Sequence, residues 1–292
     1  MKIGIQINRF NFPGGNASIR ATLRSVAQGA EAAGVDSLWV MDHFFQIPRI
    51  GPKTDPMLEA YTTLGFLAGV TEKVTLGTLV TGVIYREPAL LVKAVTALDV
   101  LSGGRAYFGI GAGWNEEEAV ALALPNPFTS QRFDRLEDTL KLAMLMWDGS
   151  SDAFKGKLYT LPEPINQPKS IAKPHPPILI GGGGEQKTLR LVAQYGDACN
   201  LFWSAGKEVV EHKLKVLQQH CEDVGRNYDD IEKTAVVGLS VAQVANDPEQ
   251  ALATVRDMRA LGFSHAILRI GTEDDLSAYP KLKQFVDQAH GL

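Results

Sequence analysis

Residues 176–185 read PPILIGGGGE, which combines a short strand, a glycine-rich turn and the start of a helix. Residues 177–180 are apolar and partly β-branched, which is typical of a buried parallel strand. Four glycines follow, and an amphipathic helical pattern opens at Glu185. Bare N–H groups and the positive end of a helix dipole would then meet at one point, which suits a phosphate or another compact anion. A merely flexible turn is the alternative, but ordering four glycines costs about 1 kcal/mol each relative to alanine.

The same strand, turn and helix unit repeats along the chain. Apolar strands are predicted at residues 3–7, 37–41, 74–80, 105–110, 177–181, 197–202, 234–240 and 265–270. Amphipathic helices are predicted at residues 19–33, 57–70, 88–101, 132–147, 185–195, 207–224, 248–260 and 275–288. Because each crossover is long enough for a helix, we expect parallel pairing. The count of eight favours one α/β domain over residues 1–292, a (β/α)8 TIM barrel, over an open doubly wound sheet.

The interval at about residues 148–176, between the fourth and fifth strands, breaks this rhythm. It is rich in Pro, Gly and Lys, and a loop of this length is usually functional or disordered. Its apolar residues predict a small hairpin with residues 155–157 as the turn; they are Phe154, Leu158, Tyr159 and Leu161. We interpret the interval as an insertion that folds over one rim of the barrel.

Composition limits the class of protein. With 45% hydrophobic and 21% charged residues, the 292-residue chain can bury a large core. A formal net charge of −4 and the lack of a basic stripe argue against nucleic acid or an anionic membrane as a partner. No apolar run is long enough to predict a membrane span, and no signal peptide is expected because a strand begins at once. Cys199 and Cys221 lack CxxC or metal-ligand spacing, which predicts a cytoplasmic protein without a metal site.

Catalytic residues of such barrels collect at the carboxyl ends of the strands. These positions hold Asp42, His43, the glycine-rich run at 109–113 and four aromatic residues, namely Phe10, Phe44, Trp114 and Trp203. Flat rings, few polar groups and an anion seat predict a pocket for an aromatic, nucleotide-like cofactor and a small-molecule substrate.

Each candidate also has an ordinary structural interpretation. Asp42 and His43 could end a strand without chemistry, but His43 stands alone among strand-end histidines, which keeps it as a candidate acid or base. The run at 109–113 is GxGxG without a following acidic residue, so a Rossmann site lacks support, and we interpret it as backbone running against a flat ring. Residues 116–118, three glutamates, are typical of a solvated helix N-terminus. Trp114 and Trp203 could simply fill the barrel. HExxH, GxSxG and Walker A patterns are absent.

Three stretches together resemble the bacterial luciferase-like monooxygenase superfamily, and within it the branch that uses coenzyme F420, a deazaflavin. They are SLWVMDHFFQIP at 37–48, VTLGTLVTGVIYREPALLVKAVTALDVLSGGRAYFGIGAGWNEEE at 74–118, and PPILIGGGGE. The likeness spans nearly the whole chain in order. It implies a barrel with an insertion near the cofactor mouth, often assembled as a homodimer.

The resemblance also implies where the cofactor would lie. The phosphate tail of F420 would sit at Gly182, Gly183 and Gly184, beside Glu185. A non-proline cis peptide is expected after the third strand, at Leu79-Val80 or Val80-Thr81, bulging against the ring. The ring's polar edge would meet Gly111, Ala112, Gly113 and Asn115. Asp42 and His43 would lie beside the ring, with His43 as the catalytic residue that steadies the ring or exchanges a proton.

One departure from the family bears on the substrate. Members that oxidise a sugar phosphate carry a glutamate directly after the strand 4 glycine, where this chain has Trp114. We therefore expect hydride transfer between C5 of the deazaflavin and a small apolar or aromatic substrate. The roles of Glu116 and Glu117 stay open.

Three other functions are weighed against this one. The first is an FMN-dependent monooxygenase on the same barrel, in which the flavin traps oxygen. The second is a non-catalytic F420-binding carrier or sensor. The third is a sugar-phosphate isomerase, which the missing strand-end Lys and Glu bases disfavour.

Overall fold

A computed structural model of the chain describes residues 1–125, 129–271 and 276–292. Its central feature is a closed barrel of parallel strands, which confirms the predicted TIM barrel. The barrel strands are β1 (Lys2–Ile7), β2 (Ser37–Asp42), β3 (Thr75–Gly82), β4 (Ala106–Gly111), β7 (Ile178–Gly181), β8 (Ala198–Phe202), β9 (Glu232–Ser240) and β10 (His265–Arg269). Around the barrel the order is β1, β10, β9, β8, β7, β4, β3 and β2. A separate antiparallel hairpin is formed by β5 (Phe154–Lys155) and β6 (Thr160–Leu161).

Each predicted helix has a counterpart. The helices are α1 (Asn16–Ala32), α2 (Ala60–Ala68), α3 (Pro88–Ser102), α4 (Glu116–Ala121), α5 (Thr129–Asp148), α6 (Thr188–Tyr195), α7 (Lys207–Val224), α8 (Val241–Asn246), α9 (Pro248–Ala260) and α10 (Tyr279–His290). The short helices α4 and α8 were not predicted, because six residues are too few to show a helical period. The predicted start of the last helix, residue 275, lies outside the described residues. Within the described ranges, no helix is both long and apolar enough to cross a membrane.

Side chains alternate between the inside and the outside of the barrel wall. One buried cluster fills the interior and is formed by Trp39, Leu79, Leu179, Ala198 and Ile267. Their sequence neighbours pack under the helices in the main core; they include Leu38, Val40, Ile178, Ile180, Cys199, Ala266 and Leu268. This alternation decides which strand-end residues face the barrel mouth.

A polar network closes the amino-terminal end of the barrel. Glu232 accepts hydrogen bonds from Tyr107 Oη at 2.6 Å and Lys2 Nζ at 2.9 Å, and its carboxylate lies 3.6 Å from His265 Nδ1. His265 Nε2 is 2.8 Å from Ser37 Oγ. Burial alone would raise the pKa of Glu232, but His265, Tyr107 and Lys2 outweigh it, so the pKa lies well below its usual range. The order serine, histidine, glutamate resembles a nucleophilic triad, yet Ser37 is fully buried and cannot meet a substrate.

The insertion at residues 149–177 packs against the outer helices α3 and α5. Asp99 in α3 accepts the backbone N–H of Ile171 at 2.7 Å, and Asp138 in α5 accepts N–H groups from the hairpin turn at 2.7 to 3.3 Å. The hairpin is as predicted, although its turn covers residues 156–159. The segment joins the end of α5 to the start of β7, and its hairpin reaches toward the start of α5, where Lys157 Nζ donates to Asp134 at 2.9 Å. Its expected position near the cofactor mouth stays a prediction.

Both cysteines are buried and unpaired, in the elements predicted for them. Cys199 lies in β8 and Cys221 in α7. Burial raises the pKa of Cys199 to about 12, so its thiol stays protonated near neutral pH. Across the described ranges, no three metal-ligating side chains come together.

Candidate active site

Strand β3 carries an irregularity at its carboxyl end. The Leu79–Val80 peptide bond is cis, at one of the two predicted positions. The pairing of β2 with β3 shifts there, from Val40 with Thr78 to Asp42 with Thr81. Leu79 faces the barrel interior, and Val80 is half-buried.

The glycines of β4 and β7 make room for this irregularity. A Cβ atom at Gly109 would lie 1.8 Å from the Thr78 carbonyl oxygen. Cβ atoms at Gly111 and Gly181 would lie 3.0 and 2.8 Å from the Val80 side chain. Gly109 and Gly111 therefore accommodate β3, and the interpretation of the GxGxG run as backbone against a flat ring stays a prediction.

Thr81 is fully buried, and its side chain makes hydrogen bonds within the barrel wall. Its Oγ1 is 3.0 Å from Tyr61 Oη and 3.0 Å from Thr78 Oγ1. Its side chain cannot reach a cofactor in the mouth, contrary to the prediction.

His43 and Glu118 form a buried dyad at the barrel mouth. His43 Nδ1 lies 2.9 Å from Glu118 Oε2, and Tyr85 Oη donates to the same oxygen at 2.6 Å. The other oxygen, Oε1, accepts the backbone N–H groups of Phe44 and of Phe45, the latter at 2.9 Å. The Glu118 side chain is fully buried, whereas that of His43 is 12% exposed.

The charge of Glu118 decides the tautomer of His43. Burial alone would raise the pKa of Glu118, but hydrogen bonds from His43, Tyr85 and Phe45 outweigh it and lower the pKa. A carboxylate can only accept, so His43 must donate its Nδ1 proton to it. Nε2 then has no hydrogen-bond partner among the described residues and is the atom available for proton exchange. Burial, followed by the bond to Glu118, raises the pKa of Tyr85, which therefore stays a donor.

Sequence reasoning missed Glu118 because it treated residues 116–118 as solvated. The first two glutamates are indeed exposed, with Glu116 paired to Arg132 and Glu117 to Lys53. The third faces inward because α4 begins after Asn115, whose side chain accepts the N–H of Glu118 at 3.4 Å. An Asn followed three residues later by Glu is a helix-start signal, and it could have separated Glu118 from its neighbours.

Asp42 points away from the mouth. It continues the outward series of β2, is 1% exposed, and accepts a bidentate ion pair from Arg86, with Nη2 3.0 Å from Oδ1. Arg86 also binds Glu59. Burial raises the pKa of the Asp42 carboxyl, and the Arg86 guanidinium opposes that shift. The predicted place of Asp42 beside the cofactor is thus wrong for its side chain, because neighbouring strand residues face opposite sides.

A cavity of about 620 Å³ opens beside the dyad. Its wall combines apolar and polar side chains. The lining residues are Phe45, Gln46, Pro48, Gly51, Pro52, Lys53, Trp114, Asn115, Glu117 and Glu118. The Trp114 ring meets His43 edge-on, with centroids 5.5 Å apart. Trp114 therefore lies where a pocket residue was predicted.

Phe44 and Phe10 were predicted to line the pocket, but neither lines this cavity. Phe44 packs edge-on against Tyr85 at 5.3 Å, and the following residue, Phe45, faces the cavity instead. Phe10 is 1% exposed and belongs to the hydrophobic core.

Trp203 is also displaced from its predicted role. It follows the outward series of β8 and packs against Phe263 with ring centroids 6.1 Å apart. Phe263 belongs to the segment that leads into β10, so this contact lies in the helix layer. Phe202, in the inward series after Ala198, is 57% exposed and takes the place at the mouth.

The glycine turn after β7 offers free backbone donors. Gly182 has φ of +117°, a conformation that favours glycine, and its N–H binds the Asn200 carbonyl at 3.2 Å. The N–H groups of Gly183 and Gly184 donate to no acceptor in the described part of the chain. Lys213 Nζ donates to the Gly183 carbonyl at 2.7 Å and brings a positive charge to the turn. These residues fit a phosphate group.

Glu185 contributes to this turn differently from the prediction. Its carboxylate pairs with Lys213 at 3.2 Å and His212 at 3.5 Å, and the bond from Lys213 is the main cause of its lowered pKa. Because a carboxylate repels an anion, only the backbone N–H of Glu185 could donate a hydrogen bond to a phosphate at this turn. Helix α6 begins at Thr188, three residues later than predicted, after a turn closed by Leu189 N–H to the Gly184 carbonyl at 3.0 Å.

The turn after β4 lies on the same rim. Gly113 has φ of +78°, Ala112 is half-buried, and Asn115 lines the cavity while capping α4. From the end of β7, where the glycine turn lies, β4 and β3 lead round the barrel to β2 and His43. A flat ring with a phosphate tail can span this arc.

Known proteins resemble this chain over nearly its whole length. The model of the luciferase-like monooxygenase family matches residues 1–286. The F420-dependent glucose-6-phosphate dehydrogenase of Kineococcus radiotolerans is 29% identical over 260 residues, 88% of this chain and 72% of that protein. The coenzyme F420-dependent tetrahydromethanopterin reductase of Methanopyrus kandleri superposes with a TM-score of 0.81 at 14% identity, over 98% of each chain. An FMN-bound type II Baeyer–Villiger monooxygenase of Pseudomonas putida superposes at 0.74 with 15% identity, over 99% of this chain and 98% of that one.

Proposed function

Because the chain belongs to the luciferase-like monooxygenase family, we propose that it is an oxidoreductase that uses coenzyme F420 to transfer a hydride to or from a small organic substrate with an apolar body. One observation carries the proposal. The open amides of Gly183 and Gly184 and the dyad of His43 and Glu118 lie at the same end of one barrel.

The chain's own residues would hold the cofactor at two places. The N–H groups of Gly183 and Gly184, with Lys213 close by, would bind its phosphate. Val80 and the turn at Gly113 would support its ring. When bound, coenzyme F420 supplies a ring carbon that can accept or donate a hydride.

His43 would hold and move the accompanying proton. Glu118 keeps the Nδ1 proton in place, so Nε2 takes a proton from a substrate being oxidised or gives one to a substrate being reduced. The buried carboxylate stabilises the imidazolium that forms. Trp114 and Phe45 would form an apolar wall beside His43 and exclude water from Nε2.

Two alternatives use the same geometry. An FMN-dependent monooxygenase is supported by the Pseudomonas putida neighbour, whereas F420 is supported by the relative from Kineococcus radiotolerans. A carrier or sensor would use the glycine turn without needing the dyad. We favour an enzyme over a carrier because a dyad with an open Nε2 has no purpose in a carrier. We favour F420 over FMN because the relative from Kineococcus radiotolerans is 29% identical, whereas the FMN-bound neighbour is 15% identical. The homodimer and the cytoplasmic location stay predictions.

The test begins with binding. Purified protein is titrated with oxidised F420 and with FMN, and quenching of cofactor fluorescence gives each Kd. We expect F420 to bind more tightly. The protein loaded with reduced F420 is then mixed with enones, and the protein loaded with oxidised F420 is mixed with glucose 6-phosphate. Only the enones should change the F420 absorbance, because they accept the hydride and reoxidise the cofactor. Tighter binding of FMN overturns the cofactor, and tight F420 binding without hydride transfer to any acceptor indicates a carrier.

A further inference from the structure

Arg269 is the last residue of strand β10, at the barrel mouth, and its guanidinium makes no hydrogen bond to the described residues. Within residues 1–125, 129–271 and 276–292 it has no hydrogen-bond acceptor and no carboxylate within 4.0 Å, and its Nε is buried without a partner. Arg135 also has a buried Nε without a hydrogen bond, but its guanidinium lies over the Tyr159 ring at 5.2 Å. Two other half-buried arginines are fully engaged. Arg86 binds two carboxylates, and Arg105 donates to several backbone carbonyls. Holding a half-buried guanidinium without an acceptor costs free energy, which a bound anion would recover.

The direction of the side chain follows from the strand. His265 and Ile267 face the barrel interior, whereas Ala266 and Leu268 lie in the outer core. Pairing of β10 with β1 runs without a shift from His265 to Arg269, so the alternation holds and Arg269 faces inward. Its register partner, Gln6, also faces inward, because its side chain donates to the Leu79 carbonyl at 3.1 Å.

The position of Arg269 separates it from the proposed cofactor. The glycine turn after β7 and His43 after β2 are joined by β4 and β3, and this arc would carry the ring. The other arc runs through β8, β9, β10 and β1 and is left for the second reactant. Exposed Phe202 lies on that arc with Arg269.

We infer that Arg269 binds an anionic oxygen group, a carboxylate or a phosphate ester, on the substrate whose apolar body rests against Phe202. This inference rests on the proposed function and narrows it. The substrate would be an apolar molecule with one acidic substituent, held by the planar fork of the guanidinium while His43 faces its reacting carbon.

The test uses F420-loaded protein and two probes of one shape. 4-Fluorobenzoate and its neutral analogue 4-fluorobenzamide are titrated by fluorine NMR. The wild type should bind benzoate at least about tenfold more tightly than benzamide, as expected for a charge-assisted bidentate pair. Arg269→Gln should abolish this preference by weakening benzoate alone, and Arg269→Lys should restore part of it. Arg24→Gln, an exposed arginine on α1, is the matched control and should behave as the wild type.

Several results would overturn the inference. They are a wild type without preference for benzoate, an Arg269→Gln protein that weakens both probes equally, and one that loses F420 instead. A large fall in melting temperature for Arg269→Gln would also overturn it, because the guanidinium would then have a structural partner. If the wild type fails to bind F420, the proposed function itself is wrong. That result is measured in the loading step, before either fluorinated probe is added.

Discussion

Replacing Glu118 by glutamine should move a proton on His43 from Nδ1 to Nε2. The two carboxylate oxygens have separate tasks, since Oε1 accepts backbone N–H groups and Oε2 accepts His43 and Tyr85. In Glu118→Gln the amide oxygen can keep the first task, and the NH₂ group takes the place of Oε2. That group can only donate, so His43 Nδ1 must become an acceptor.

The magnitudes follow from this exchange of roles. No hydrogen bond is lost, but all four lose their charge assistance, which lowers the free energy of unfolding by about 2–4 kcal/mol. The neutral ring then presents a proton at Nε2 and cannot take one there. General acid–base catalysis contributes roughly 10²- to 10⁴-fold, so the rate of hydride transfer should fall by about that factor, or about 3–5 kcal/mol.

The assay needs two readouts. Nitrogen NMR of ¹⁵N-histidine-labelled protein identifies the protonated ring nitrogen without any substrate, and stopped-flow spectroscopy of F420 gives the hydride-transfer rate. Glu222→Gln is the matched control, because Glu222 is an exposed glutamate near the carboxyl end of α7, away from the barrel mouth. The reasoning is refuted if Nδ1 keeps its proton in Glu118→Gln, or if the tautomer changes and the rate does not.

Three further perturbations test other parts of the molecule. Gly182→Ala, at φ of +117°, should weaken F420 binding roughly tenfold in the fluorescence titration, while the control Gly225→Ala, at φ of +70° after α7, should leave it unchanged. Equal effects of the two variants would contradict phosphate binding at the glycine turn. Arg86→Gln leaves the buried Asp42 unpaired and should lower the free energy of unfolding, measured in urea, by about 3–5 kcal/mol, and adding Asp42→Asn should recover part of the loss. A loss below about 1 kcal/mol in Arg86→Gln would contradict the buried ion pair. The pKa of Glu232 is lower in the folded than in the unfolded protein, whose value is about 4.3. Its contribution to stability is therefore complete above about pH 5 and is lost as the pH falls toward the folded value, so the difference between wild type and Glu232→Gln should shrink on acidification. A constant difference in urea unfolding from pH 6 to pH 3 would count against it.

Local sequence patterns were enough to predict the barrel and several residues of its mouth. Strands and helices are set by local period, and eight repeats of one unit leave few other topologies. The glycine turn was recognisable because Gly182 needs a conformation that few other residues adopt. His43 was recognisable because a strand end in this fold faces the mouth or the helix layer, and a histidine there is rare.

Local patterns could not show which of two neighbouring residues at a strand end faces the mouth. The alternation of β2 sends Asp42 outward to Arg86 and His43 inward, and that of β8 sends Trp203 outward and Phe202 inward. A one-residue change of register reverses every such assignment, and register is fixed by pairing with neighbouring strands, not by the strand itself. Glu118 lies 75 residues from its partner His43, and the two meet only because the barrel closes and α4 turns the third glutamate inward. A contact made by two distant segments costs chain entropy that local patterns do not record, so the sequence held both residues and not their contact.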